Sequence, residues 1–548
     1  MADMGVNQGT AAQAKTAPFV RKATGLVREL PLLDMVTYNA AVASPIGTAL
    51  ALSLFFAFAA FPGANLVVAL IVAFIGVVIT IFVFALLSSA MPRIGGDYAF
   101  ISRIINPPLA LASNFCYLAG ALLAVAWIAV IGVKLVLAPA LAIVGTLNND
   151  SNWINASNTV AQNGWAFVIG SVIVIATGAV AVAGTKLAGR VMSIFYLISL
   201  GGAVVTLAIL AFTSHDTFVS HLNAFSQPFT HTADTYGATI AAGKKAGLVY
   251  PDQTGYSFGN TIGAIFITYG ITVSSYAGCY LAGEMKGAGK RSRQLASMLI
   301  GGLGQGFLLV LSVIVFLNTM GLDFFAAASN GYYGVAVAPY SNFFVGVVAG
   351  NTALAIVLAV AFACAIPIWI YVNAAIVYRG PFAWAFDGLL PRALTIVNPR
   401  THTPVVAITI VTVLCVAACA WAAFSVSFLT LFSYLVLLGF FTIIVVSIAA
   451  IVMPWRAPDI YRGSPAEWRV MGLQVLPVVG VLSVIWNVAM VVLAIVFHTN
   501  VGLPDLVHPI GVLAGIAIAG VVFYYVARAV QQSRNVDVSL AFKAIPPE

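Results

Sequence analysis

Residues 65–91 read NLVVALIVAFIGVVITIFVFALLSSAM and carry no charged side chain. An α-helix needs about 20 consecutive apolar residues to cross a bilayer, and this run is longer than that. Comparable apolar runs recur between residues 33 and 530. Because an aqueous core cannot cover so many long apolar segments, the sequence predicts an all-α integral membrane protein.

The composition of the chain agrees with this prediction. The 548 residues are 61% hydrophobic and 7% charged, with a mean hydropathy of +1.04, whereas soluble domains carry about 25% charged residues. Residues 1–30 are polar and lack the apolar stretch and small-residue cleavage site of a secretory signal. We therefore expect no cleavable signal peptide.

The positions of the apolar runs predict twelve membrane spans. They lie near residues 33–61, 65–91, 108–144, 164–184, 190–213, 257–284, 294–320, 343–378, 403–424, 427–453, 471–498 and 506–530. The positive-inside rule tests this count, because a missed or invented span would reverse the side of every later loop. Of the 24 Lys and Arg residues, 21 fall on one side and only Lys134, Lys244 and Lys245 on the other.

This charge distribution also predicts the orientation of the chain. Both termini are expected to be cytoplasmic in a multi-pass protein of the cell membrane. The formal net charge of +8 follows from the topology and from contact with membrane lipids, so no nucleic-acid partner is needed to explain it. The polar segments at 145–163, 214–256 and 321–342 are predicted to be extracellular and are long enough for short lid helices.

The sequence offers no pattern that enzymatic chemistry would need. The six histidines form no HExxH pattern, and neither a GxGxxG nor a P-loop pattern is present to bind nucleotide phosphates. We therefore predict no enzymatic activity, no cofactor and no metal site.

Two of the predicted spans contain residues that interrupt a helix. In the first span, Ala43-Ser44-Pro45-Ile46-Gly47 places a proline and a glycine in the middle of the apolar run. Backbone groups freed there must line a cavity or be covered by protein. In the sixth span, residues 267–278 read ITYGITVSSYAG, which is small and hydroxyl-rich. Each stretch alone is also explained by a proline kink or by close helix packing.

The two interruptions together are more informative, because they begin two units of five spans each. An odd number of spans inverts the second unit relative to the first. Interrupted helices at matching positions of inverted repeats indicate a mid-membrane binding site in transporters, where half-helix N-termini face anionic groups. The sequence thus predicts a transport protein with its site between spans one and six.

Three ordered motifs resemble those of the amino acid–polyamine–organocation (APC) superfamily of permeases. Residues 89–103, SAMPRIGGDYAFISR, are similar to the family's run after span two. Gly283-Glu284-Met285-Lys286 resembles the element after span six. Residues 386–391, FDGLLP, and 398–404, NPRTHTP, resemble the run before span nine. The resemblance covers nearly the whole chain.

The resemblance implies a LeuT-type fold with alternating access around a site between spans one, three, six, eight and ten. It divides the chain into a cytoplasmic tail, a first five-helix repeat, an extracellular loop, an inverted second repeat, two peripheral spans and a second cytoplasmic tail. The corresponding residues are 1–32, 33–213, 214–256, 257–453, 454–530 and 531–548.

The resemblance also implies substrate-binding residues. The span-one contacts would be backbone groups facing the substrate carboxylate, from Ala43, Ser44, Ile46 and Gly47. Counting without gaps from Glu284 puts the family's unwound span-six motif on Thr272, Ser274 and Ser275, which would meet the substrate ammonium group. A register shift of about four residues would put Tyr269 and Gly270 there instead.

The chain departs from the family pattern where the coupling ion is expected. The span-one glycine stretch aligns with Asn39, Ala41, Pro45 and Gly47, so only its last glycine is retained. Many members carry a lysine in span five that stands in for a cation, and that position is Ser199 here. Span eight has no Ser or Thr between Ala353 and Arg379. H⁺ and Na⁺ both stay open as coupling ions.

The leading interpretation is a secondary transporter of amino acids. Net-neutral zwitterions are the expected substrates, because no acidic residue is predicted at the middle of the bilayer. A polyamine or cationic amino acid exchanger is the nearest alternative. A non-transporting nutrient sensor or membrane subunit belongs to another class, and the tails of about 30 and 20 residues argue against it. The expected partners are a small-molecule amino acid, H⁺ or Na⁺, and membrane lipids.

Overall fold

The computed structural model describes residues 28–43, 54–248, 255–335, 341–424 and 428–542. Eleven helices within these ranges are long and apolar enough to cross a membrane. The first predicted span is represented by the helices Leu32–Ala43 and Leu54–Ala60, on either side of residues outside the described ranges. The chain is an all-α membrane protein of about twelve spans, as the sequence predicts.

Spans two to twelve are numbered in chain order. They are Leu66–Ala90, Pro107–Leu147, Asn163–Val182, Thr185–Ala211, Phe258–Glu284, Arg291–Met320, Thr352–Phe386, Val405–Phe424, Leu429–Arg456, Val475–Val496 and Val507–Gln532. Side chains cap the first turns of several of these helices, as Asn65 accepts from the amide of Val68 and Asn106 from that of Leu109. Such caps satisfy amides that have no partner within the helix.

Span three is 41 residues long and contains a π-helical turn at Val133–Leu137. Pro139 lies two residues after the end of this turn. A proline inside an α-helix removes one hydrogen bond and clashes with the carbonyl four residues earlier. The carbonyl four residues before Pro139 belongs to Leu135, which is part of the wider π-helical turn. The helix therefore continues past Pro139 to Leu147. Lys134 in this turn donates to Asn163 Oδ1 at 2.6 Å, at the start of span four.

Span eight differs from its predicted range of 343–378. Residues Ser341–Ala349 form a separate helix, Gly350 has a φ of +56°, and the spanning helix begins at Thr352. The helix then extends to Phe386. The sequence prediction ends the span before Arg379 because that residue is charged. The structure keeps it inside the helix because Glu284 pairs with it.

Short helices cover one face of the bundle, which we call the loop face. They are Ser151–Val160, His215–Thr230, Thr235–Lys245, Leu322–Ser329 and Ser341–Ala349. The first four confirm the short helices predicted for the polar segments, whereas Ser341–Ala349 lies where the sequence predicts the start of span eight. The opposite face, which we call the terminal face, carries both ends of the described chain. There Leu30 pairs with Met285, and Gln531 donates to the Gly388 carbonyl at 2.6 Å.

The outer surface of the spans is apolar. Phe307, Val357 and Ile485 are more than half exposed, and large exposed apolar areas of this kind indicate contact with lipid or another protein. Spans eleven and twelve are the least buried of the eleven. Span twelve packs closely against span three at Gly520, where a Cβ atom would lie 2.5 Å from the Leu111 carbonyl oxygen.

Candidate functional site at the interruption of span six

Span six changes its helix type near its middle. Phe258–Thr272 is α-helical, and Val273–Glu284 is a 3-10 helix. A 3-10 helix longer than three or four residues is uncommon, and one inside a longer helix often marks a functional hinge or strain. The change falls within the hydroxyl-rich stretch noted in the sequence.

A small cavity of about 40 Å³ lies beside this change. Spans three, six and ten line it with uncharged residues, namely Tyr117, Gly120, Ala121, Gly270, Val273, Ser274, Tyr276, Leu435, Val436, Gly439, Phe440 and Ile443. A volume of this size holds one or a few water molecules. An amino acid therefore needs the surrounding helices to move apart before it can bind here.

Two of the residues predicted to bind substrate line this cavity. Gly270 faces span ten, and a Cβ atom there would lie 3.0 Å from Val436. The close approach of these two spans therefore favours glycine. Ser274 is partly exposed, whereas the residues on either side of it in span six are buried. Its hydroxyl is available at the cavity wall.

Tyr269 faces away from the cavity. Its hydroxyl bonds to Thr80 of span two at 2.9 Å and donates to Asn487 Oδ1 of span eleven at 3.0 Å. Tyr269 therefore ties the interruption to two other spans. The alternative register of span six predicts that Tyr269 and Gly270 bind the substrate, and of these two only Gly270 lines the cavity.

The hydroxyls of Thr272 and Ser275 bond to the backbone of their own helix. Thr272 Oγ1 donates to the Thr268 carbonyl at 2.7 Å, and Ser275 Oγ donates to the Thr272 carbonyl at 3.2 Å. Ser275 also lies against span seven, where a Cβ atom at Gly302 would come within 3.0 Å of its hydroxyl. Neither residue lines the cavity, so neither hydroxyl is placed for the predicted ammonium contact.

Span one meets span six through Asn39, which the sequence analysis did not assign to the site. Asn39 Oδ1 accepts a hydrogen bond from the Gly278 amide at 2.7 Å. Asn39 is therefore the hydrogen-bond partner of a backbone amide within the 3-10 segment. The feature of the sequence that could have indicated this role is the polar amide of Asn39 inside an apolar helix. Ala43 is the last residue of the first helix of span one. The predicted contacts Ser44, Ile46 and Gly47 lie outside the described residues.

Ser199 lies on the face of span five that packs into the bundle. It is buried, and its hydroxyl has no hydrogen-bond partner among the described residues. Near one end of the same helix, Ser193 bonds to Thr37 of span one at 3.0 Å and to Asp34 at 3.3 Å. This position alone does not define a coupling ion.

Stacked aromatic rings separate the cavity from the terminal face. Tyr276 stacks on Phe84 of span two with ring centroids 3.9 Å apart, and Tyr117 of span three stacks on Tyr280 at 5.3 Å. All four rings are buried. This layer closes the path for water and solutes on that side.

Two buried ion pairs lie at the terminal face. Arg379 Nε and Nη2 bond to Glu284 Oε1 at 2.9 and 2.7 Å, which links span eight to the end of span six. Arg103 bonds to both oxygens of Asp387 at 2.9 and 2.7 Å, and Tyr98 donates to the same carboxylate. The paired side chains are at most 4% exposed. Breaking such a pair is costly because it leaves a buried charge.

The backbone adds a further connection at the same face. The Leu30 amide donates to the Glu284 carbonyl, and the Lys286 amide donates to the Leu30 carbonyl, both at 3.0 Å. The segment before span one is thereby fixed to the end of span six. Residues from all three motifs that carry the family resemblance meet here.

An aromatic cluster lies on the loop-face side of the cavity. Trp127 of span three is edge-on to Trp369 of span eight at 5.4 Å and lies 5.8 Å from Phe432 of span ten. Trp127 is six residues beyond the cavity-lining Ala121, about 9 Å further along the helix. The cavity is therefore bounded by aromatic side chains in both directions.

The spans, the interrupted helix and the small cavity beside it define the class of the protein, a helical membrane transporter. The profile of the amino acid permease family matches residues 35–524, from span one into span twelve. The chain belongs to this family of the APC superfamily. Among curated proteins, none matches the chain. The family match and the helical spans together support an amino acid transporter in a membrane.

Proposed function

We propose that the protein is a secondary transporter of neutral, zwitterionic amino acids that works by alternating access. The observation that carries the proposal is the small cavity at the span-six interruption, whose lining is uncharged. A cationic or dicarboxylate substrate would require a countercharge there, because unpaired charge inside a membrane is costly. A zwitterion can instead be held by helix-end amides, carbonyls and hydroxyls.

In the proposed site, the substrate lies between the interruptions of spans one and six. The Ser274 hydroxyl and the backbone near Gly270 bind the ammonium group. Thr272 and Ser275 keep their hydrogen bonds within span six, and Tyr269 holds the helix in place. The carboxylate contacts are the span-one backbone groups of Ala43, Ser44, Ile46 and Gly47.

The terminal face is proposed to be cytoplasmic, because the basic residues lie mainly on that side of the predicted topology. The Glu284–Arg379 and Arg103–Asp387 pairs and the Leu30–Met285 bridge close that face. Release of substrate to the cytoplasm requires the 3-10 segment of span six to separate from spans three and eight.

Uptake by the purified full chain in proteoliposomes tests the proposal. Labelled alanine, serine and leucine are each challenged with an excess of unlabelled leucine, arginine, putrescine or glutamate. We expect uptake of a neutral amino acid and the strongest competition from another neutral one. Stronger competition by arginine or putrescine would favour the cationic exchanger. No uptake of any amino acid would favour the non-transporting sensor.

A further inference from the structure

Asp97 is a buried carboxyl group that has no countercharge among the residues the structure describes. It begins the helix Asp97–Ile104 between spans two and three and is fully buried. Tyr280 and Asn114 both donate to Oδ1, the latter at 2.8 Å, and Ser113 Oγ approaches Oδ2 at 3.4 Å. No Lys, Arg or His bonds to Asp97 in the described part of the chain. The neighbouring acids Glu284 and Asp387, by contrast, each pair with an arginine.

The partners of Asp97 come from elements that the transport cycle must separate. Tyr280 belongs to the 3-10 segment of span six, and Asn114 belongs to span three. Trp384 of span eight donates to Asn114 Oδ1 at 2.9 Å. The carboxyl group therefore lies where three spans meet, next to the aromatic layer that closes the cavity.

The titratable groups that interact with Asp97 are phenols and thiols. They are Tyr280 and Cys279 of span six and Cys116 and Tyr117 of span three, and such groups are ordinarily neutral at pH 7. Span ten also packs against this helix but has no ionisable residue between Tyr434 and Arg456. On its own helix, Tyr98 and Arg103 are bonded to Asp387 of the span-eight end.

We propose that Asp97 is a proton-binding site whose occupancy biases the opening of the terminal face. The inference rests on the proposed transport cycle and makes H⁺ its coupling ion. With the face closed, a protonated carboxyl group stays buried among neutral partners, since its own O–H can donate one hydrogen bond. When span six moves and water enters, the carboxyl group ionises and gives its proton to that water. Ser199, the predicted coupling-ion position, has no group that titrates near neutral pH.

The direction of the pH effect follows from the surroundings of the carboxyl group. Burial raises the pKa of Asp97 from 3.8 to about 7, although the hydrogen bonds from Tyr280 and Asn114 oppose the rise. The closed state therefore binds a proton more tightly than a hydrated open state. Raising the pH from about 4 to about 7 disfavours closure by up to about tenfold per pH unit. Above about pH 7 the effect levels off.

Transport by the full chain in proteoliposomes tests the inference. The labelled substrate is leucine, or alanine or serine if the protein transports one of these better. The wild type is expected to accelerate when a proton gradient is imposed. Asp97→Asn is expected to retain exchange of labelled for unlabelled substrate and to lose the response to the gradient. Asp97→Glu, which restores a carboxyl group, is expected to recover part of that response.

A second variant keeps the test decisive if Asp97→Asn does not fold. Tyr280→Phe removes a hydrogen bond that stabilises the carboxylate, so the midpoint of the pH profile is expected to rise. Tyr378→Phe is the matched control, because its hydroxyl accepts from Arg379 and does not bond to Asp97. Its midpoint is expected to equal that of the wild type.

Three results would overturn the inference. One is an Asp97→Asn protein that still responds to the gradient. Another is an unshifted midpoint in Tyr280→Phe. The third is a wild type that transports amino acids without any response to protons, which would leave the proposed function intact. Failure of the wild type to transport any amino acid would instead remove the proposed function, and the inference with it.

Discussion

The hydroxyl of Tyr269 holds three spans together at the point where span six changes its helix type. It bonds to Thr80 and donates to Asn487, and both partners are buried. Asn487 also donates to the Ser483 carbonyl at 2.8 Å. Because water cannot reach these groups to replace a lost partner, the bonds stabilise the fold by more than exposed ones would.

Tyr269→Phe removes this hydroxyl and keeps the ring. We expect the free energy of unfolding to fall by about 1–3 kcal/mol, because Asn487 Oδ1 is left without its donor, and the KM for substrate to stay unchanged. Thermal unfolding of the purified protein and uptake kinetics measure the two effects. Tyr525→Phe, on an exposed tyrosine of span twelve, is the control and should alter neither. A raised KM with unchanged stability would place Tyr269 in the binding site.

The sequence identifies the hydroxyl-rich stretch of span six but not the roles of its members. One residue turns a helix by about 100°, so neighbouring positions such as Ser274 and Ser275 meet different surroundings. Only the packing of spans three, seven and ten decides that Ser274 lines the cavity and Ser275 does not. Asn39 was missed for the same reason, since its partner is a backbone amide 239 residues away.

At the scale of elements, the 3-10 segment of span six is held from several sides. Asn39 bonds to Gly278 in its middle, and Arg379 bonds to Glu284 at its end. A 3-10 helix rises by about 2.0 Å per residue, so these 12 residues are about 6 Å longer than in an α-helix. We infer that loss of the end contacts lets this segment move and opens the terminal face.

Glu284→Gln leaves Arg379 buried without its countercharge and should open that face. In a protein whose other four cysteines are replaced by alanine, the buried Cys279 reports the opening. We expect an impermeant thiol reagent at the cytoplasmic face to modify it about tenfold faster. A change of ~1.4 kcal/mol in the free-energy difference between the closed and open states produces a tenfold change in labelling. Breaking a buried ion pair typically costs more than this.

The double variant Glu284→Met with Arg379→Met is the control for this experiment. Removing both charges is less harmful than removing one, so labelling of Cys279 should return toward the wild-type rate. Equal labelling in all three proteins would show that the ion pair does not hold the face closed. Faster labelling only from outside intact cells would reverse the proposed sidedness.

At the scale of the whole molecule, the constraints that a bilayer imposes on the chain allow the architecture to be predicted from the sequence. Apolar runs of spanning length and the placement of basic residues predict twelve spans. The described residues contain eleven candidate spans and the two shorter helices of span one, in agreement with this prediction. The predicted end of span eight was wrong because a buried ion pair keeps Arg379 inside a helix where composition alone predicts an end. The cavity could not be predicted from the sequence, because it depends on how spans three, six and ten pack.

The central claim is that a neutral amino acid crosses the membrane through the cavity at the span-six interruption. The most direct test is the KM for exchange of labelled leucine, or of the better neutral substrate, by purified Ser274→Ala and Ser275→Ala in proteoliposomes. Loss of a hydrogen bond to the substrate ammonium costs about 1.5–3 kcal/mol. We therefore expect Ser274→Ala to raise KM by about 10-fold to 150-fold and Ser275→Ala to leave it nearly unchanged. Ser274→Leu, which fills the cavity, is expected to abolish exchange. Normal exchange by Ser274→Leu, or a larger KM increase in Ser275→Ala than in Ser274→Ala, would contradict the claim.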